Sequence, residues 1–295
     1  MMKSSEKWLT NLFEERKIEK SFCTKAGWNL YNGMLHMLEV HDGIFRPIIM
    51  QQMIPSIFYS DSSKEKKSEL VKEEILQWKS PKNCFQSLCR IISGQQLAGA
   101  AAQKIWLNLL EATKNDLTPV KILKFVSDGN LETHLRKPAG ISHAKARSII
   151  ALSEAFKDGT LSESFLTTGD VNQVREKLLQ VKGIGPWSVD MFFIFYLEKP
   201  DVFPIGDLAV RKAIADLFGL KGKGQNGSLD MKKDAEKMHQ IMSPCKPFQS
   251  LATFYLYKVL DEKVKKEKLK KMKSEKNTTT SPPRKRRRIV RQVTP

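Results

Sequence analysis

Residues 181–187 read VKGIGPW, a spacing that can grip a phosphate. Two glycines one residue apart, Gly183 and Gly185, permit a very tight turn and leave backbone N–H groups bare of side chains. Pro186 stands where a helix would begin, a position at which its missing N–H is not needed. Bare amides beside a helix N-terminus attract an anion through directed hydrogen bonds and the positive end of the helix dipole. An ordinary tight corner between two helices fits the same residues. Twenty residues on, a Pro- and Gly-bearing loop in DVFPIGDLAVRKAIADLF (residues 201–218) leads to Asp207 at the start of a predicted helix. Most aspartates in such a place are N-caps. A carboxylate held there is also suited to face a positive charge developing on a substrate, because the helix dipole favours the anion.

Apolar periodicity supplies the elements that position these groups. Residues 174–179 and 189–197 predict helices before and after the two glycines, a helix-hairpin-helix over 174–197. Leu208, Ile214, Leu217 and Phe218 give the helix after Asp207 an inward face. Repeated period-2 patterns are missing, so an all-α fold is expected. Residues 30–260 read as the globular part, interrupted by a Ser/Lys/Glu-rich linker at 60–68, with residues 1–29 as an extension of unassigned role. Residues 261–295 form a basic tail, read as disordered although its first, Lys-rich stretch has helical composition. Its end, PRKRRR at 283–288, fits a nuclear import signal, and fits a nonspecific DNA-binding arm equally. The expected location is the nucleus, and the glutamates at 6, 14, 15 and 19 argue against a mitochondrial presequence.

The chain has 295 residues and a formal charge of +18, which points to a polyanionic partner. From Asp261 onward 14 Lys and Arg face 4 Asp and Glu, so the first 260 residues retain +8. Lys182 on the hairpin, Lys145, Arg147, Arg211 and Lys212 are candidates to neutralise backbone phosphates. Arg211 follows Asp207 by four residues, so a helical ion pair is the simpler alternative. Cys23, Cys84, Cys89 and Cys245 show no paired spacing and read as reduced thiols, and no histidine constellation suggests a metal. The longest wholly apolar run, residues 191–197, is too short to cross a bilayer, and no membrane partner is expected.

Five segments in order resemble the helix-hairpin-helix DNA glycosylases, and within them the 3-methyladenine branch that removes alkylated bases. They are FQSLCRIISGQQLAGAAAQKIW (85–106), GISHAKARSII (140–150), the hairpin VKGIGPWSVDMF, DVFPIGDLAVRKA, and KPFQSLATFYLY (246–257). The resemblance implies two helical lobes with the hairpin and Asp207 opening into a central DNA-binding cleft. It implies a substrate of double-stranded DNA carrying a damaged base, a monomeric enzyme and no cofactor, with a structural monovalent cation at the hairpin as an option. Asp207 becomes the catalytic residue, while Trp187 and Phe248 match pocket aromatics, each with core packing as the alternative. Met191 occupies another pocket position where the family has an aromatic, giving a softer and less polar surface. Gln95, Gln96 and Leu97 match the place from which a side chain wedges into the gap left by an extruded base.

Bifunctional relatives carry a lysine at position 187, whose amine forms a Schiff base with the sugar. Trp187 has no such amine, so a monofunctional hydrolase leaving an abasic site is expected. A noncatalytic DNA-binding protein built on the same hairpin, and a glycosylase for oxidised or mismatched bases, are the alternatives. The four-cysteine cluster loop of some relatives is not matched, since only Cys245 falls in that region.

Overall fold

The computed structural model describes residues 4–15, 20–21, 23–24, 26–52 and 81–278. The linker at 60–68 and the basic cluster at 283–288 lie outside these. The chain opens with α1 (Ser4–Glu15) and α2 (Leu30–Gln52), the latter broken at His41, whose φ of −146° and ψ of 54° are not helical. A second series follows: α3 (Cys84–Gly94), α4 (Gly99–Ala112), α5 (Pro119–Ser127), α6 (His143–Lys157), α7 (Glu163–Thr168), α8 (Val171–Gln180) and α9 (Pro186–Phe195). Short wound segments, Leu131–Arg136 and Lys137–Ala139, join α5 to α6. The chain then returns through α10 (Leu208–Leu217), α11 (Ala235–Met242) and α12 (Gln249–Thr278). Among the described residues there is no strand, only one antiparallel bridge between Cys23 and Asn29, so the fold is all-α as expected.

The apolar faces bury into two separate cores, which define two lobes. One contains α3 to α9 and is centred on Phe192, Phe193, Trp106 and Leu88. The other is assembled from both ends of the chain, α1 and α2 packing with α10, α11 and α12 around Leu30, Met34, Ile214 and Tyr255. Residues 1–29 therefore contribute to that core: Leu9 and Phe13 of α1 are fully buried, and Phe13 meets Tyr31 edge-on at 5.0 Å. α12 continues past residue 260 to Thr278, so the Lys-rich first stretch of the tail is helical, as its composition suggested, and only the boundary at 260 and the disorder of that stretch are corrected. Lys, Glu and Met are strong helix formers, and no proline interrupts them before Pro282.

The chain crosses between the lobes at residues 198–202, and hydrogen bonds fasten that crossing. Trp28 Nε1 donates to the Glu198 carbonyl at 2.9 Å, and Ser250 Oγ donates to the Lys199 carbonyl at 2.6 Å. Ser250 also accepts from the Val202 N–H at 3.1 Å, while its own N–H donates to the Pro200 carbonyl. Groups that face each other across the lobe seam are thus held in register. Three of the cysteines, Cys84, Cys89 and Cys245, are buried inside the cores, and burial pushes the Cys245 thiol up to about 12.

Candidate active site

The helices on either side of the two glycines form as expected. α8 ends at Gln180, the chain turns through residues 181–185, and Pro186 opens α9 as its first residue. Gly183 has a φ of +87°, in the left-handed region that favours glycine. A Cβ there would also lie 1.9 Å from Ser148 Oγ of α6, so neither conformation nor space admits another residue. Gly185 is different. Its φ of −106° suits any residue, and a Cβ on it would meet nothing within 4 Å. Nothing inside the protein demands a glycine at 185. Gly185 also forms the N-cap of α9 without a side-chain cap, leaving the first amides of that helix available. Lys182 and Arg147 are exposed. Of the hairpin carbonyls offered to a monovalent cation, that of Val181 already accepts from the Ile184 N–H and that of Gly183 from Gln95.

Asp207 is the N-cap of α10, with Oδ1 accepting from the Val210 N–H at 2.9 Å. Its other oxygen, Oδ2, accepts from the indole Nε1 of Trp187 at 2.6 Å. Trp187 packs on the core of α3 to α9, whereas α10 belongs to the other core, so this bond spans the seam. The cap and the chemically interesting carboxylate are therefore the same group, and Asp207 keeps only 8% of its surface exposed. A carboxylate withdrawn from bulk water acts more strongly on a nearby developing charge than one in solvent.

Tyr257 of α12 completes the site and was not singled out in the sequence. Its hydroxyl lies 3.7 Å from Met191 Sδ. The phenol is held well above its ordinary range, first by burial, then by the charge of Asp207, a hydrogen bond to it, and the charge of Asp190. A tyrosine ending the largely apolar stretch 251–257 must find a polar partner where it is buried, and that was the available signal. Asp190 lies on buried α9 and pairs with Arg175 Nη2 at 2.7 Å. Burial raises its carboxyl, and the Arg175 hydrogen bond and charge partly oppose that.

Other candidates go elsewhere. Phe248, matched to the pocket, packs its ring against Trp28 and His36 at 5.7 and 5.8 Å, the core-packing alternative. Lys145 spends its ammonium inside the protein, donating to the carbonyls of Ser93 and Gln95 at 2.9 Å each, rather than presenting it to a phosphate. Carbonyls at the end of α3 attract it as the negative end of that helix. Arg211 does not reach back to the Asp207 carboxylate; its Nη1 donates to the Leu229 carbonyl at 2.6 Å, and its charge lies near Asp230. Gln95, Gln96 and Leu97 are separated. Gln95 is partly buried and hydrogen-bonded, whereas Gln96 and Leu97 are exposed on the turn. Gln96 has a φ of +59°, and a groove of about 470 Å³ lies beside the turn, lined by Leu97, Lys104, Ile105 and Ser142 among others. Among the described residues no three His, Cys, Asp or Glu side chains gather as a metal site, and no helix is long and apolar enough to cross a membrane.

Two helical lobes, a glycine hairpin with free amides and a capping aspartate at the seam define a helix-hairpin-helix repair fold. The family described as HhH-GPD superfamily base excision DNA repair protein matches residues 89–243, more than half of the chain, and this protein belongs to it. Among curated relatives, the Schizosaccharomyces pombe alkylbase DNA glycosidase-like protein mag2 is 26% identical over 177 residues, 59% of this chain and 77% of that protein. The DNA-3-methyladenine glycosylase 1 of the same yeast is 29% identical over 180 residues, 60% and 72% of the two chains. The solved structure of S. pombe Mag1, a 3-methyladenine DNA glycosylase in complex with abasic DNA, gives a TM-score of 0.57 at 24% identity. It covers 77% of this chain and 95% of that one. The Archaeoglobus fulgidus 3-methyladenine DNA glycosylase gives 0.53 at 20% identity, over 84% and 75%. These superpositions establish the fold.

Proposed function

We propose that the protein is a monofunctional DNA glycosylase of base excision repair that acts as a monomer on damaged duplex DNA. It would hydrolyse the N-glycosidic bond of alkylated purines of the 3-methyladenine type and leave an abasic site in an unbroken strand. The observation that carries this reading is the buried Asp207 carboxylate, held at the lobe seam by Val210 and Trp187 beside an amide-bearing hairpin. Similarity to relatives named as 3-methyladenine and alkylbase glycosylases supports the substrate class.

The chemistry follows from those positions. Duplex DNA hides its glycosidic bonds, so the damaged nucleotide must be swung out of the stack, at about a few kcal/mol. Alkylation that weakens pairing lowers that cost. Hairpin amides and Lys182 hold the backbone, and the nucleotide turns toward the seam. As the bond to the base stretches, the sugar gains oxocarbenium character, which the Asp207 carboxylate stabilises while orienting the attacking water. An N-alkylated purine already carries positive charge and leaves without a strong general acid. The half-buried Trp187 ring would offer its face to that cation. No amine occupies position 187, so no Schiff base forms there. The basic cluster at 283–288 supports nuclear delivery.

Incubation of the protein with alkylated duplex should release free 3-methyladenine, measured by chromatography, with strand breaks appearing only after alkali. Absence of base release, or nicking before alkali, would overturn the respective half of the proposal.

A further inference from the structure

Gln95 stands where three segments meet. Its side-chain Nε2 donates to the Gly183 carbonyl at 3.0 Å and to Ser188 Oγ at 2.9 Å, one partner in the hairpin and one in the first turn of α9. Its backbone carbonyl accepts from Lys145 Nζ, which also holds the Ser93 carbonyl. Lys145 belongs to α6, the same helix whose Ser148 lies directly beneath Gly183. The turn that exposes Gln96 and Leu97 is further tightened by the Leu97 N–H donating to the Gly94 carbonyl. An amide side chain with both N–H groups used inside the protein is a brace and not a probe.

We propose that Gln95 is a positioning residue that ties the turn bearing Gln96 and Leu97 to the hairpin, so that gripping the DNA backbone fixes where a side chain enters the duplex. This rests on the glycosylase reading above, since it assumes that a nucleotide is extruded. Mechanically, the hairpin and the intruding turn arrive at DNA as one rigid piece. Energy from phosphate contacts at the hairpin can then oppose the unstacking cost at the lesion. With the brace cut, the hairpin still binds phosphate, but the turn relaxes independently.

Gln95→Met keeps the length of the side chain and removes both donors; Lys145→Met frees the same turn from its other side. Each variant is assayed by thermal melting, by the fluorescence of 2-aminopurine placed beside an abasic site, and by base release from a paired and from a bulged lesion. For Gln95→Met the expected result is a folded protein with a weakened 2-aminopurine response and a roughly tenfold or greater loss on the paired lesion. Loss on the bulged lesion, which is already extruded, should be several-fold smaller. Lys145→Met should move both readouts in the same direction. Equal losses on both substrates would reduce Gln95 to a fold-stabilising residue and overturn the proposal, as would an unchanged 2-aminopurine response. If the parent protein releases no base, the glycosylase reading fails by itself, and the 2-aminopurine comparison still decides the brace.

Discussion

Trp187 and Asp207 meet across the lobe seam through a single indole-to-carboxylate hydrogen bond of 2.6 Å. A donor bound to a carboxylate contributes about 1.5–3 kcal/mol. Trp187→Phe retains the aromatic bulk and removes only the N–H, freeing Oδ2 to rotate about a carboxylate still capped by Val210. Single-turnover base release should fall by about 10- to 100-fold. Affinity for abasic duplex, which depends on the hairpin, should stay within a few fold. An unchanged rate would show that the bond is a packing detail.

Asp207→Asn separates the cap from the charge. Asparagine is as good an N-cap as aspartate, so its one amide oxygen keeps the Val210 N–H while its NH2 faces the Trp187 N–H and loses that bond. The melting temperature should therefore fall only by the few degrees that one lost hydrogen bond costs, while base release drops by roughly 100- to 1000-fold, the size seen when a preorganised electrostatic group is lost. Retained abasic-duplex binding alongside lost release supports the enzyme. Equal base release by both proteins would remove Asp207 from the mechanism.

The hairpin and the helices around it were legible because their signals are local. Apolar periodicity marks α8 and α10, a continuous apolar run marks α9, and the glycines mark the turn between α8 and α9. The resemblance of five segments added the two lobes and the catalytic role of Asp207. What was not legible depends on contacts across the chain. Gln95 meets Gly183 from 88 residues away, Tyr257 meets Met191 from 66, and Lys145 is drawn to carbonyls 50 and 52 residues back. Sequence reading took Lys145 for a phosphate contact because lysines are usually solvated, and the resemblance set Phe248 among the pocket aromatics with core packing as its alternative. Helix α1 carries an apolar face of Leu9, Leu12 and Phe13, but its mixed charge left its role unassigned in the sequence, and its partner surface on α2 supplies that role.

The two hairpin glycines should fail differently. Gly183→Ala forces a side chain into the left-handed region and onto Ser148, so the protein should lose stability by several kcal/mol, read as a large drop in melting temperature. Gly185→Ala enters open space at an ordinary φ and should melt like the parent. Its affinity for duplex DNA should nevertheless fall by about tenfold or more, because the methyl stands where the backbone must approach. Unimpaired DNA binding by Gly185→Ala would move the phosphate contact away from this turn.

Arg175 neutralises Asp190 on the buried helix that carries Trp187 and Met191, and that pair sets a pH signature. Burial raises the Asp190 carboxyl above its ordinary 3.8, so the folded state holds this proton more tightly than the unfolded chain. A raised carboxyl contributes stability that is fully present below the unfolded value and is lost as pH rises through the folded value. Arg175→Met removes the two influences that lower it, leaving a buried charge without its partner at neutral pH. The destabilisation should be about 2–3 kcal/mol, under the usual figure for a buried pair because Arg175 is itself partly exposed. Protonation of Asp190 relieves that charge, so the melting-temperature gap to the parent should be widest near about pH 7 and shrink by about pH 4.5. A gap that stays constant or widens on acidification would mean that Arg175 acts through its packing on Phe193, 5.1 Å from the ring centre, and not through Asp190.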